Sequence, residues 1–175
     1  MSLNKKEMMG EIVRSGKDPV YFSNTYAKIS HPMHGLIPFK MYEFQEEALR
    51  DFKKHRFNII LKARQLGIST TVAAYVCWLM LFHRDKSILV VATKLGTAAN
   101  LVKKAKAIYK NLPAWLRIAT IEVDNRNSFE LSNGSQVKAS STSLRISSSA
   151  MLPTAGSLSI KRSETCSSTV FLAMI

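Results

Sequence analysis

The sequence predicts an α/β fold, a parallel sheet flanked by helices. Two observations carry that expectation. Residues 57–61 (FNIIL) and Ser87–Ala92 (SILVVA) are short, continuous apolar runs with β-branched content, which suits strands buried on both faces. Each is followed by a stretch of helical period, and strand–helix–strand–helix is the order of a parallel sheet. The length of 175 residues and the 46% hydrophobic content suit a domain with a sizeable core and exclude a fully disordered chain.

Residues 1–40 carry Pro19, Pro32 and Pro38 at intervals that leave room only for short elements. Residues 42–54 predict a helix with Phe44, Ala48, Leu49 and Phe52 as its apolar stripe and Glu43, Glu46 and Glu47 facing away. The run at 57–61 then enters a turn-like KARQLGIST. Residues 70–82 predict a helix that is apolar on nearly every face, and therefore packed between other elements. The apolar stretch 72–82 falls short of the roughly 20 residues that span a bilayer.

After the second strand, residues 97–112 predict an amphipathic helix. Leu101, Ala105, Ile108 and Leu112 share one face, Lys103, Lys106 and Lys110 the other, and Pro113 stops it. From Ile118 the period becomes two. Residues 128–131 and 136–139 flank Ser-Asn-Gly-Ser, and Asn133-Gly134 predicts a hairpin whose two turn residues both take positive φ. Residues 140–175 differ in kind: eleven of the 36 are Ser and Glu164 is the only acid, the composition of a linker or tail.

Lys and Arg number 25 against 12 Asp and Glu, a net charge of +13 that points to a polyanion, either nucleic acid or a membrane surface. All but three of the basic residues precede residue 140, so the surplus belongs to the patterned part of the chain and not to the tail. Cys77 and Cys166 are too few for a disulfide framework or a cysteine-rich zinc site. His31, His34, His55 and His83 lack metal-ligand spacing, and Cys77, Trp78 and Trp115 read as core. The start, MSLNKKEMMGEIV, has no apolar run or cleavage site of a signal peptide, so a cytosolic location is expected.

A buried strand, a Gly-containing turn and a helix opening on Ser-Thr form the arrangement of a phosphate-binding P-loop. Free backbone N–H groups and the helix dipole converge on an anion there, and a hydroxyl one step into the helix can hold Mg²⁺. Gly67 supplies the turn and Ser69 the hydroxyl. The common pattern G-x-x-x-x-G-K-[ST] is departed from twice: Lys62 stands at the first Gly and Ile68 at the Lys. The phosphate still needs a cation. Lys62 at the strand end is one candidate and Arg64, which can hold phosphate bidentately, the other.

The stretch HPMHGLIPFKMYEFQ (residues 31–45) followed by NIILKARQLGIST resembles the large terminase subunit of tailed bacteriophages, closest to the T4-like group. ILVVATKLGTAANLVKKAKAIYKNLPAWL and NSFELSNGSQVKASSTS look like later parts of the same ATPase domain, so the likeness covers about residues 18–143. The resemblance implies a P-loop NTPase fold, incomplete at its C-terminal side, in three parts: a lead-in at 1–40, a partial ATPase domain at 41–143 and an atypical tail at 144–175. It implies ATP and Mg²⁺ as ligands, a loop made of Lys62, Ala63, Arg64, Gln65, Leu66, Gly67, Ile68, Ser69 and Thr70, and an aromatic–Gln pair, Phe44-Gln45, whose Gln45 reads adenine. Lys62 would neutralise the β/γ-phosphates, Arg64 would sense or stabilise the γ-phosphate catalytically, and Ser69 would hold the metal.

The resemblance also implies double-stranded DNA as substrate, with a small terminase subunit, a portal ring and further copies of the chain as partners, in the host cytoplasm at the phage prohead and without a membrane. It stops after Ser143. The family's Walker B Asp-Glu strand, its coupling motif and its nuclease domain find no counterpart in LRISSSAMLPTAGSLSIKRSETCSSTVFLAMI, which suits a frame-shifted or truncated reading, or an insertion. The chain alone is then expected to be inactive and marginally stable. Two other functions stay open. One is a helicase-like DNA-dependent ATPase, against which Ile68 counts; the other is a nucleotide- or DNA-binding remnant without turnover. Residues 86–121 hold seven Lys or Arg and no acid, so Lys103, Lys106 and Lys110 are either a solvated face or a sequence-independent DNA surface.

Overall fold

A computed structural model of the chain describes residues 4–31, 33–141 and 169–174. Two helices open it, α1 (Lys5–Lys17) and α2 (Pro19–Tyr26). The lead-in thus holds a helix of 13 residues, longer than the prolines suggested. Pro19 does not interrupt a helix but starts one, at the position where its missing N–H costs nothing, and Asp18 caps it by accepting from the Val20 N–H at 2.9 Å. A small antiparallel pair follows, β1 (Lys28–His31) with β2 (Gly35–Pro38).

Helix α3 (Glu43–Lys54) leads to α4 (Ile68–Phe82), β3 (Ser87–Ala92) and α5 (Leu95–Lys110). A 3-10 turn at Ala114–Leu116 precedes β4 (Ile121–Asp124), β5 (Ser128–Leu131) and β6 (Gln136–Ser141). The main sheet has the order β4-β5-β6-β3, with β3 and β6 parallel and the other neighbours antiparallel. It is a mixed sheet. The backbone of β7 (Thr169–Met174) runs parallel along the free edge of β3, Ser87 opposite Thr169.

Residues 57–61 form no strand, contrary to their pattern. A strand must exchange backbone hydrogen bonds with a neighbour. Both edges of β3 are already taken, by β6 and β7, and no ladder includes 57–61. The segment lies on the surface, with Ile59 and Leu61 fully exposed. An open cleft of about 270 Å³ separates it from Phe44, Ala48 and Phe52 of α3.

The core forms around α4. Thr71, Ala73, Ala74, Val76, Cys77, Trp78, Met80 and Leu81 are all buried, which a helix apolar all round requires. α5 packs against it with Leu101, Val102, Ala105 and Ile108, and covers one face of the sheet with Ile88, Val90, Phe129, Leu131 and Val137 buried beneath. Leu89 and Val91, on the second face, stay half-buried. α1 is tied to the core by the Trp78 indole, which donates to the Ser15 carbonyl at 2.8 Å.

The β5–β6 turn differs from expectation in detail. Gly134 has φ +78° but Asn133 is not in the positive region. The Gly134 N–H donates to the Leu131 carbonyl at 3.0 Å and the Leu131 N–H to the Ser135 carbonyl at 2.9 Å, the pattern of a three-residue loop ending in a left-handed glycine. Asn133 is used differently: its amide donates to the carbonyls of Met80 (2.7 Å) and His83 (3.2 Å) and so caps the end of α4. Among the described residues no helix is long and apolar enough to cross a membrane. Glu164, Cys166 and most of the Ser-rich tail read as a linker lie outside the described residues.

Candidate functional site

The loop 62–67 leads into α4 through two left-handed residues. Gln65 has φ +64° and Gly67 φ +71°. Glycine adopts that region freely; glutamine does so at a cost, and such strain gathers at functional turns. Alternation of left-handed and other backbone over successive residues is the geometry in which N–H groups converge on an anion. Gly67 is also the N-cap of α4, and it has no side chain to satisfy the first N–H groups of the helix. The carbonyl of Gly67 accepts from the Thr70 N–H (2.8 Å) and the Thr71 N–H (3.1 Å), which closes the first turn.

The loop is held from behind by Gln45. Its amide nitrogen donates to the Leu66 carbonyl at 2.9 Å, and its amide oxygen accepts the Tyr42 N–H at 3.2 Å. Gln45 is 2% exposed. The buried line of α3 is therefore Gln45, Leu49 and half-buried Phe52, one residue off the stripe expected from Phe44 and Ala48. Phe44 turns outward beside Tyr42, the two rings parallel within 7° and 5.8 Å apart, and both exposed.

Lys62, Ala63, Arg64, Gln65, Leu66 and Gly67 are all exposed, Ile68 is buried, and Ser69 and Thr70 are half-buried at the start of α4. The Lys62 ammonium reaches only the Ala63 carbonyl, at 3.5 Å, so Lys62 and Arg64 carry no salt bridge among the described residues. The fold thus keeps Gln45 and residues 62–70 together.

One cation escaped the sequence reading. Lys104 of α5 donates to the Thr70 hydroxyl at 3.3 Å and so stands over the first turn of α4. The signal was its spacing: three after Leu101 and four before Ile108, it lies on the edge of the apolar stripe that faces α4.

The lysines proposed for DNA are partly committed elsewhere. Lys106 and Lys110 each lie 2.7 Å from a different oxygen of Asp124, and Lys106 also donates to the Asn125 carbonyl. The hydrogen bonds from Lys106 and then Lys110 hold the Asp124 carboxyl down to about 2. Lys103 is exposed. Cys77 is inert: burial alone pushes its thiol up to about 12. Burial first, then the charge of Lys86, lowers the His83 value, and its ring stands T-shaped to that of Trp78, the centroids 4.8 Å apart. No group of three or more potential metal-ligating side chains gathers among the described residues. No protein-family model matches the chain.

Proposed function

We propose that residues 62–70 bind the phosphates of ATP with Mg²⁺, as the nucleotide site of a P-loop DNA-packaging motor of the large-terminase type. The observation that supports this most is the turn itself: left-handed Gln65 and Gly67 lead directly into an uncapped helix start. Backbone N–H groups and the positive end of the α4 dipole then face an anion together. Lys62 and Arg64 are exposed on the loop that leads to that point, and Lys104 stands over it from α5. Ser69 is the hydroxyl nearest the helix start and is the residue assigned to the metal; ATP-bound Mg²⁺ would there offset phosphate charge.

In this reading Lys62 supplies the charge that Ile68 cannot, and Arg64 stabilises the γ-phosphate. Double-stranded DNA, a small terminase subunit, a portal ring and further copies of the chain are the partners proposed, in the host cytoplasm. The net charge of +13 favours DNA over a neutral partner. A second reading, nucleotide binding without turnover, is favoured by the tail: residues 144–175 contain one acid, Glu164, and so no adjacent carboxylates to hold Mg²⁺ and orient water.

Calorimetric titration with MgATP, paired with an ATPase assay, tests both readings. Lys62→Ala is expected to abolish ATP binding while leaving the melting temperature unchanged, since the side chain is exposed. Unaltered affinity in that variant removes the cation assignment. Binding without hydrolysis in the wild type favours the second reading, and no binding at all removes both.

A further inference from the structure

We infer that Gln45 is a positioning residue that aims the backbone of the phosphate loop, and that it does not read the nucleobase. The inference rests on the nucleotide-site reading and departs from it in the role given to this one side chain.

A glutamine amide offers an oxygen that accepts up to two hydrogen bonds and an NH₂ that donates two. Reading an adenine edge takes a donor and an acceptor side by side and free. Here the oxygen is engaged by the Tyr42 N–H of its own helix start, and the nitrogen by the Leu66 carbonyl. One acceptor site and one N–H remain, but the residue is 2% exposed, so a base has no access to them.

The same contacts define another task. In a trans peptide the C=O and the following N–H point in opposite directions. By holding the Leu66 carbonyl, Gln45 turns the Gly67 N–H away from α3, toward the open side of an exposed loop. Gly67 permits this: a Cβ there would fall 2.7 Å from the Gln45 amide nitrogen, nearer than real Cβ contacts allow. The amide is thus wedged against the peptide that begins the helix start. It links α3 to the loop across 21 residues of sequence.

The test uses the full chain with Gln45→Glu, which keeps the side chain's size and loses the donor to Leu66, and with Gln45→Ala. ATP and GTP affinities are measured by calorimetry. Trypsin cleavage after Arg64 is followed by mass spectrometry, well below the melting temperature. Gln45→Glu is expected to weaken ATP and GTP by the same factor, about fivefold for one net hydrogen bond. The ATP:GTP affinity ratio stays as in the wild type, and cleavage after Arg64 accelerates. A ratio that collapses in the variant identifies Gln45 as a base reader and overturns the inference. So does an unchanged cleavage rate. If the wild type binds neither nucleotide, the nucleotide-site reading fails on its own account. The Arg64 cleavage rate then still decides whether Gln45 holds the loop.

Discussion

Gln45 and Gly67 lie so close that the Cβ of any other residue at 67 would fall 2.7 Å from the Gln45 amide nitrogen. That nitrogen donates to the carbonyl of Leu66, the residue just before. A helix laid down early in the chain and a glycine at the start of a later helix therefore define one loop between them.

Gly67→Ala is accordingly expected to damage the loop twice, through its φ of +71° and through the contact with Gln45. The left-handed backbone alone costs an L-residue about 1–2 kcal/mol. Chemical denaturation should show a loss of that size, and ATP affinity should fall about tenfold. Gly96, inside α5 with nothing near its added Cβ, is the control: Gly96→Ala is expected to be neutral or slightly stabilising. Equal behaviour of the two variants contradicts the role given to Gly67.

Leu61 separates the observed surface segment from the strand that its sequence suggests. The side chain is fully exposed, so Leu61→Asp is expected to change stability by no more than ~0.5 kcal/mol and to raise solubility. A buried strand position would instead lose at least ~3 kcal/mol to an unpaired carboxylate. Urea denaturation of the variant decides between them.

Asp124 restrains Lys106 and Lys110, two of the three lysines read as either a solvated face or a DNA surface. Asp124→Asn removes that charge. If this face meets the DNA backbone, affinity for a random duplex should rise and its salt dependence steepen by up to ~0.9 in log–log slope per phosphate gained. Titrations at two or more salt concentrations measure both. An unchanged slope leaves the lysines as a solvated face.

Glu11 sets a pH dependence. Its carboxylate accepts from the hydroxyls of Tyr26 (2.6 Å) and Tyr21 (2.7 Å), and these bonds, Tyr26 first, hold its carboxyl below the usual value of 4.5. The folded value being the lower one, this contribution is full above the usual value and fades as pH falls through it toward the folded value. Glu11→Gln should therefore melt below the wild type at pH 7, with the gap closing below about pH 4. A gap constant from pH 7 to about 3 means the charge contributes nothing.

Much of the order of elements was legible in the sequence. Local patterns mark β3 at its observed bounds, α4 and α5 to within two residues at each end, and the hairpin between β5 and β6, because turn chemistry and apolar period act over a few neighbouring residues. Gly67 and Ser69 at a helix start were legible for the same reason. What local pattern left open was which apolar run obtains partners. Residues 57–61 look as strand-like as Ser87–Ala92, yet only the second lies in a ladder, because a strand exists through its neighbours' hydrogen bonds. Tertiary packing likewise decided that Gln45 faces the core in the stripe expected of Phe44, that Lys104 reaches Thr70, and that Asp124 pairs with both Lys106 and Lys110. Each is a contact between residues distant in sequence, set by how helices and sheet pack and by no property of the segments alone.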